Sequence, residues 1–326
     1  MAWNRLFRGT LAVALAAGGL ASAVSAGQEF PERAITLVVG AAPGSGTDIG
    51  ARLLARDMAA SLGVTVVVDN KPSAAGTIAA QHVARAQPDG YTLFIGSATT
   101  NAANHAYFPG KLGYTPASFT PVGGIGTSPL ALYVASDSPW RTLDDLLTQA
   151  KARPGALNCG NGNSTTQVGC EVFRKQAGIQ TVQVPYKSNP QSLTDLAAGT
   201  LQFAFSDTSA AQAFVDNRKI RPLAVAAAQR LPSSPGLPTF IELGLSGFEI
   251  TGWSMVFAPT GTPPAVVEKL NGVIRKSVQS PESVQRRQRT GGLALDLNVD
   301  DARRFVDTEI ARWAHFVEFS GVKPAQ

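Results

Sequence analysis

The stretch ITLVVGAAPGSGTDIGAR, residues 35–52, joins an apolar run to a glycine-rich loop and then to a segment with regularly spaced apolar residues. The run at residues 35–39 is short, continuous and rich in β-branched side chains, which is typical of a buried strand. The apolar residues that follow recur at helical spacing, and they are Ile49, Leu53, Leu54, Met58 and Leu62. The stretch therefore predicts a strand, a tight loop and a helix, and it leaves open what the loop holds.

The same order of elements continues along the chain. VTVVV at residues 64–68 predicts the next strand, a helix is expected at about residues 76–85, and YTLFIG at residues 91–96 predicts a third strand. Such a βαβαβ unit favours a parallel sheet with helices on both faces. After about Thr127 the alternation resumes with a strand at residues 130–135, which predicts a second α/β domain.

The last third of the chain is expected to return to the first domain. ITGWSMVFAP, residues 250–259, is the one convincing strand in a segment rich in proline and glycine, and it is a candidate for the return crossing. Helices at about residues 264–280 and 299–319 are predicted to close the chain. The densest basic run, residues 286–289, is interpreted as a solvated helix face.

The amino terminus has the pattern of a secretory signal peptide. Arg5 and Arg8 precede an uncharged run of small and apolar residues, and small residues offer a cleavage site near residue 26. The run is too short for an ordinary transmembrane helix. We therefore expect residues 1–26 to be a signal peptide and the rest of the chain to be exported.

Composition argues against nucleic acid as a partner and leaves two possible states for the two cysteines. Without Arg5 and Arg8 the formal charge falls from +5 to +3, which is too weak and dispersed to indicate nucleic-acid binding. Cys159 and Cys170 lie close in sequence, and export would place them in an oxidising compartment, so we expect a disulfide, with two free thiols as the alternative. We expect no metal site, because two thiols are too few and the histidines have no matching spacing.

The glycine-rich loop does not match a nucleotide-binding motif. It lacks the lysine of a phosphate loop, and Ile49 stands where a dinucleotide fingerprint has its third glycine. Neither Ser45 nor Ser164 lies in a nucleophile elbow, so an exported hydrolase of small esters remains only an alternative.

A loop that leads into a helix N-terminus does offer free backbone N–H groups and a positive dipole, which suit an anion. This interpretation makes Gly44, Ser45, Gly46 and Thr47 candidate ligand-binding residues. Asp48 also suits the dipole but would repel a carboxylate pressed against it, unless a water lies between them. Plain helix capping by Ser45, Thr47 and Asp48 is the alternative.

Three further polar sites follow predicted strands. They are GSATTN at residues 96–101, GNGNSTTQ at residues 160–167 and Asp207. Ligands of open α/β sheets bind beyond the carboxyl ends of strands, so these loops are expected to face one cleft and trap a solute without a catalytic group. Asp207 either accepts a hydrogen bond from the ligand or caps the helix beginning near Thr208. If it faces the ligand, a pure dicarboxylate is less favoured than an amino acid or a hydroxy acid.

Four ordered motifs resemble the Bug family, the periplasmic solute-binding proteins of tripartite tricarboxylate transporters, from about Phe30 to Lys323. The motifs are PERAITLVVGAAPGSGTDIGARLLA, NKPSAAGTIAAQHVARAQPDGYTLFIGS, VPYKSNPQSLTDLAAGTLQFAFSD and GWSMVFAPTGTPPAVVEKLNGVI. The resemblance implies a type II periplasmic-binding-protein fold, in which two α/β domains around a ligand cleft are joined by two crossing strands. We expect residues 27–127 plus 253–326 to form domain 1 and residues 128–252 to form domain 2.

The resemblance also implies the ligand, the partners and the site. It implies a small carboxylate ligand, the membrane subunits of such a transporter as partners, a monomer, and no cofactor or catalytic residue; sensing for a signalling protein is an alternative to transport. The residues that match the family's binding loops are Ala41, Gly44, Ser45, Gly46, Thr47, Asp48, Ser97, Ala98, Thr99, Thr100, Ser164, Thr165, Thr166 and Asp207. Gly40 and Ala41 stand where the family usually has Pro-Phe, and His105 lies four residues beyond the family's usual histidine position, so the identity of the ligand stays open.

Overall fold

The computed structural model describes residues 30–73 and 75–321, so the predicted signal peptide lies outside the described residues. The strands are β1 Ile35–Val39, β2 Val66–Asn70, β3 Thr92–Ser97, β4 Phe119–Ala135, β5 Leu157–Asn161, β6 Thr181–Pro185, β7 Phe203–Asp207, β8 Ile220–Val225 and β9 Thr251–Pro259. The α-helices are α1 Gly46–Leu62, α2 Thr77–Ala84, α3 Asn104–Tyr107, α4 Leu143–Ala152, α5 Ser164–Gln176, α6 Asn189–Ala197, α7 Thr208–Asp216, α8 Pro264–Val278, α9 Pro281–Thr290 and α10 Val299–Ser320. A π-helical turn, Thr99–Ala103, follows β3.

The first βαβαβ unit forms as predicted, except that the second strand begins and ends two residues later than expected. β1 pairs in parallel with both β2 and β3, and α1 begins after Ser45, whose side chain caps it. The second strand lies two residues later than VTVVV, because Ile35 pairs with Val66 and the ladder continues to Asn70. The ends of β1 and β3 therefore lie side by side and point their loops in one direction.

The long strand β4 runs through both halves of the sheet. Its first part, Phe119 to Pro129, pairs with β9, and from Leu130 onward it pairs with β7 and β8. Only residues 130–135 of this strand were predicted, because the earlier part contains several glycines and prolines, and the ladder accommodates them with two register shifts. The chain crosses back at Ile250, whose backbone bonds to Ala226 and Leu130, before β9 begins. The predicted α/β fold with two halves joined by two crossing strands is confirmed.

The carboxyl-terminal part contains a helix that the sequence interpretation missed. Between the two predicted helices lies α9, which begins after the capping residue Ser280 and ends at Gly291. Ser277 and Ser280 both donate hydrogen bonds from their hydroxyls to Asp57 of α1, at 2.8 and 3.1 Å. These bonds join the end of α8 and the start of α9 to α1.

The core continues across both halves of the molecule. Helix α10 packs against β4 and α5, and its predicted apolar stripe includes Trp313, which is 1% exposed. The indole N–H groups of Trp253 and Trp313 both donate to the carboxylate of Glu309, at 2.7 and 3.2 Å. Within residues 30–73 and 75–321 no helix combines the length and apolar character that a bilayer crossing requires.

Candidate functional site

A cavity of about 130 Å³ lies where the two halves of the molecule meet. Its wall includes residues from the N-terminal ends of five helices, α1, α2, α5, α6 and α7. Each N-terminus carries the equivalent of roughly half a positive charge. Because all five converge on one space, the wall favours a small anion over a neutral or cationic molecule.

The loop before α1 supplies the first part of this wall. The Ser45 hydroxyl accepts a hydrogen bond from the N–H of Asp48 at 3.2 Å, so the capping role expected for Ser45 is confirmed. Among the described residues, no group accepts from the N–H of Gly46 or Thr47, and both residues line the cavity. Capping and anion binding are therefore compatible here, because the cap uses one N–H group and leaves others for a ligand.

Asp48 braces this loop and does not line the cavity. Its carboxylate is 3% exposed and accepts hydrogen bonds from Gly44 N–H at 2.9 Å, Asn70 Nδ2 at 2.9 Å and Arg52 Nε at 3.1 Å. Burial by itself raises the pKa of Asp48, but the hydrogen bonds from Arg52, Gly44 and Asn70 together hold this pKa below its ordinary value. The expected repulsion between Asp48 and a bound carboxylate does not arise in this geometry, because the charge is already paired.

The loop after β3 forms the adjacent part of the wall and approaches Gly76 closely, and Gly76 in turn lies close to Gly40. A Cβ atom on Gly40 would lie 2.9 Å from the carbonyl oxygen of Gly76, and a Cβ on Gly76 would lie 2.6 Å from Thr100 Cγ2. Gly40, Gly76 and Thr100 therefore pack closely together, and Ala41, which stands at the usual aromatic position of the family, lines the cavity. His105 is half-buried beside Tyr114 at a ring distance of 5.5 Å, and it is not part of the cavity wall.

In the second half, the N-terminus of α5 is organised by Asn163. The side-chain oxygen of Asn163 accepts from Thr166 N–H at 2.9 Å and from the Thr165 hydroxyl at 2.7 Å. The Ser164 hydroxyl donates instead to Asn104 Oδ1 at 2.9 Å, which joins α5 to α3 across the two halves. Thr165 lines the cavity, whereas Ser164 and Thr166 support the loop from behind.

The predicted disulfide between Cys159 and Cys170 is confirmed. It joins the middle of β5 to the second turn of α5, and both half-cystines are fully or almost fully buried. The loop between them contains Gly162, Asn163 and Thr165, all of which line the cavity. The disulfide therefore restrains the cavity wall at the point where glycine and asparagine would leave the chain most free.

Asp207 caps α7 and also lines the cavity. Its Oδ1 accepts from Ala210 N–H at 2.9 Å and its Oδ2 accepts from Asn189 Nδ2 at 3.1 Å. A Cβ atom on Gly46 would lie 2.2 Å from Asp207 Oδ1, so the N-termini of α1 and α7 are in direct contact across the cleft. The capping interpretation of Asp207 is confirmed, and a contact between Asp207 and a ligand stays a prediction.

The sequence interpretation missed three basic residues of the wall, Lys187, Arg286 and Arg287. Arg286 and Arg287 belong to the run interpreted as a solvated helix face, and for these two residues that interpretation is wrong. The signal was available, since Ser280 followed by Pro281 is a typical helix start and Gly291 a typical end. Within the described residues no cluster of three or more His, Cys, Asp or Glu side chains could hold a metal ion.

Most of the predicted site residues face one cavity. Those that line it are Ala41, Ser45, Gly46, Thr47, Ser97, Ala98, Thr99, Thr100, Thr165 and Asp207. Those that lie behind the wall are Gly44, Asp48, Ser164 and Thr166. Two α/β halves around a small cavity walled by helix N-termini define the class of solute-binding proteins, in which binding needs no catalytic group.

Comparison with known proteins places the chain within that class. Residues 50–322 match the model of the tripartite tricarboxylate transporter family receptor, and the chain belongs to this family. Members of this family are periplasmic solute-binding receptors and not enzymes, so the hydrolase alternative finds no support.

Individual relatives agree with the family assignment. The chain is 32% identical over 318 residues to the protein BugT of Bordetella pertussis, covering 96% of this chain and 97% of BugT. A structure of R. palustris Rpa4515 with adipate is similar at 35% identity and a TM-score of 0.88, covering 91% of this chain and 100% of that one. The structure of MatC from Rhodopseudomonas palustris with bound malate is similar at 31% identity and a TM-score of 0.82, covering 88% of this chain and 100% of that one.

Proposed function

We propose that this protein captures a small organic carboxylate in the cleft between its two halves and delivers it to the membrane subunits of a tripartite tricarboxylate transporter. The observation that carries the proposal is the convergence of five helix N-termini on one cavity. Adipate and malate in two related structures support the same ligand class. The size of the cavity suits a small molecule.

One ligand carboxylate binds the loops that follow β1 and β3. The free N–H groups of Gly46 and Thr47 are donors for it, and the hydroxyls of Ser97 and Thr100 stand on the adjacent wall. Backbone N–H groups at a helix N-terminus bind a carboxylate through hydrogen bonds and through the dipole together. The opposite wall, with Thr165 and Asp207, completes the site when the halves close.

The two halves act as two domains that close on the ligand. Domain 1 comprises residues 27–127 plus 253–326, and domain 2 comprises residues 128–252. The exchange of strand partners along β4 between Pro129 and Leu130 supports this boundary. Hinge motions of this kind use a few residues at the ends of elements to absorb the change in backbone angles.

The protein acts in the periplasm as a monomer. Residues 1–26 direct export and are removed, and the remaining chain binds its ligand before it meets the transporter. The periplasmic character of the family supports this location.

A thermal-shift screen of the purified protein tests the proposed function. The ligands are small mono- and dicarboxylates, acidic amino acids and aromatic acids. A ligand present at 100 times its dissociation constant stabilises the folded state by about 2.7 kcal/mol. We expect a clear shift with one chemical class and no consumption of the ligand by NMR; turnover of the ligand, or the absence of any shift across all carboxylates, contradicts the proposal.

A further inference from the structure

Arg286 is a half-buried arginine whose guanidinium has no hydrogen-bond or ion-pair partner among the described residues. The Nη2 group of its guanidinium is inaccessible to solvent and has no hydrogen-bond partner among the described residues. The side chain lines the cavity, on the wall formed by α9. An unpaired buried guanidinium is costly, because it loses its water and gains no acceptor in return. A ligand that brings an acceptor into the cavity removes that cost.

The neighbouring residues do not supply the missing acceptor. Arg287 donates its own guanidinium to the carbonyl of Val278, so it has a structural anchor that Arg286 lacks. Asp207 is the one acidic residue on the described cavity wall, and no hydrogen bond or ion pair joins its carboxylate to Arg286; its oxygens accept from Ala210 and Asn189. Burial lowers the pKa of Arg286 and Asp207 partly opposes this, which agrees with a charge that is buried without a direct ion pair.

The charges on the wall favour an anion with more than one negative group. Three basic side chains, Lys187, Arg286 and Arg287, face one acidic side chain, so the described wall has a net formal charge of +2 before the helix dipoles are counted. The expectation that Asp207 disfavours a dicarboxylate rested on that carboxylate alone. The basic residues outnumber Asp207 and make the net charge of the cavity wall positive.

The position of Arg286 is fixed by contacts outside the cavity. Ser280 caps α9 and bonds to Asp57 of α1, which sets the start of the helix. At the other end, a Cβ atom on Gly292 would lie 2.4 Å from the carbonyl oxygen of Thr127, close to where β4 passes between the halves. Helix α9 is therefore held at both ends by other residues. The Arg286 guanidinium faces the cavity and does not help to hold the helix in place.

We propose that Arg286 binds a second anionic group of the ligand and thereby makes the cavity selective for small dicarboxylates over monocarboxylates of the same length. The inference rests on the proposed function, in which the loops after β1 and β3 hold the first carboxylate. A planar guanidinium pairs with a carboxylate through two parallel hydrogen bonds, which gives direction as well as strength.

The test compares dissociation constants for matched acids by calorimetric titration. The probes are succinate against butyrate and adipate against hexanoate. For the unaltered protein we expect the diacid to bind at least about tenfold more tightly than its partner. Arg286→Met keeps an unbranched apolar stem and removes the charge, so we expect it to weaken diacid binding by about 10- to 100-fold and monoacid binding by less than about threefold. Arg289→Met is the matched control, because Arg289 is an exposed arginine of the same helix, and it should retain the preference.

The melting temperature of the ligand-free protein is a second measurement, because a binding role and a structural role of Arg286 predict opposite changes in it. Because Arg286 has no partner in the empty cavity, Arg286→Met should leave this temperature unchanged or raise it, whereas loss of a structural arginine lowers it. Arg286→Lys, which keeps the charge without the planar fork, should fold normally and lose part of the preference.

Each outcome separates this inference from the proposed function. A preference for diacids that survives in Arg286→Met, an equal loss for both acids, or a variant that unfolds overturns the role of Arg286. Binding of monoacids by the unaltered protein without any preference for diacids also overturns it and leaves the proposed function standing. Failure of every acid to bind the unaltered protein removes the proposed function itself.

Discussion

Two walls of the same cavity are built on different principles. The wall formed by α1, α2, α5, α6 and α7 presents helix N-termini, whose backbone N–H groups lie beside short polar side chains such as Ser45 and Thr165. The wall formed by α9 presents long side chains, with Arg286 unpaired and Arg287 anchored to Val278. Backbone groups bind any carboxylate that reaches them, whereas a guanidinium at a fixed distance distinguishes one acid from another.

The difference between the walls indicates which of them determines affinity and which determines selectivity. The first wall is rigid for reasons internal to the fold, namely the caps at Ser45 and Asn163 and the disulfide beside them. The second wall can change by a single substitution without disturbing any cap. We therefore expect changes to the first wall to alter stability and overall affinity, and changes to α9 to alter the choice of ligand.

Removing the disulfide is the strongest challenge to the backbone wall. In the chain-entropy model a cross-link that closes a loop of this length stabilises the protein by about 3 kcal/mol. We expect Cys159→Ala with Cys170→Ala to lower the free energy of unfolding in urea by that amount and to weaken all carboxylates together, because the α5 loop is no longer preorganised. An unchanged free energy of unfolding, or a loss confined to diacids, would contradict the division between the walls.

Gly46→Ala tests whether the contact between α1 and α7 is needed for closure. The added Cβ would lie 2.2 Å from Asp207 Oδ1, and that oxygen is held by Ala210. Overpacking of about 1–3 kcal/mol should appear as a loss of about 5- to 150-fold in affinity. Since the clash exists only across the cleft, the unfolding midpoint of the ligand-free protein should change little.

Gly272→Ala is the matched control for that variant. Gly272 is exposed on α8 outside the cavity wall, and an added Cβ would have no heavy atom of the described residues within 4 Å. This variant should bind as the unaltered protein does and gain up to about 1 kcal/mol of stability from helix propensity. Equal losses of affinity in both variants would show that the closure contact is not the cause.

Asp48→Asn tests whether the loop before α1 depends on a paired charge. The substitution weakens hydrogen bonds to a buried carboxylate, so we expect a loss of about 1.5–3 kcal/mol at pH 7 in urea unfolding. Because the folded-state pKa of Asp48 is lowered, its stabilising contribution is fully present above the unfolded value near 3.9 and is lost as pH falls through the folded value. The difference between variant and unaltered protein should therefore shrink at pH 3.

Asp307→Asn serves as the control for charge alone, since Asp307 is exposed on α10. It should change stability by less than about 0.5 kcal/mol at either pH. If the two variants behave alike, the bracing role assigned to Asp48 is wrong.

The sequence predicted the backbone wall better than the side-chain wall. Glycine, serine and threonine after short apolar runs indicate strand ends and helix starts, which is why the loops at Ser45, Ser97 and Thr165 were found. Those signals are local, and so is the disulfide between two cysteines eleven residues apart. The order of elements then placed all of them at one cleft.

The side chains that turned out differently depend on packing that is not local. Asp48 accepts one of its hydrogen bonds from Asn70, and Ser164 donates to Asn104 of α3; both of these partners are far away in sequence. Arg286 was interpreted as solvated because the sequence does not show that α9 packs against α7, which is distant in sequence, and against α8, from which a short turn separates it. Helix spacing shows which residues share a face but not what that face meets.

One titration tests the central claim, that the cavity recognises its ligand by negative charge. Adipate, its monoamide and hexane-1,6-diol share one carbon chain and carry two, one and no negative charges. Measured by calorimetry against the unaltered protein, the affinities should fall in that order, and the diol should not bind detectably. Binding of the diol as tightly as adipate would contradict the account, because neither helix N-termini nor Arg286 would then contribute to recognition.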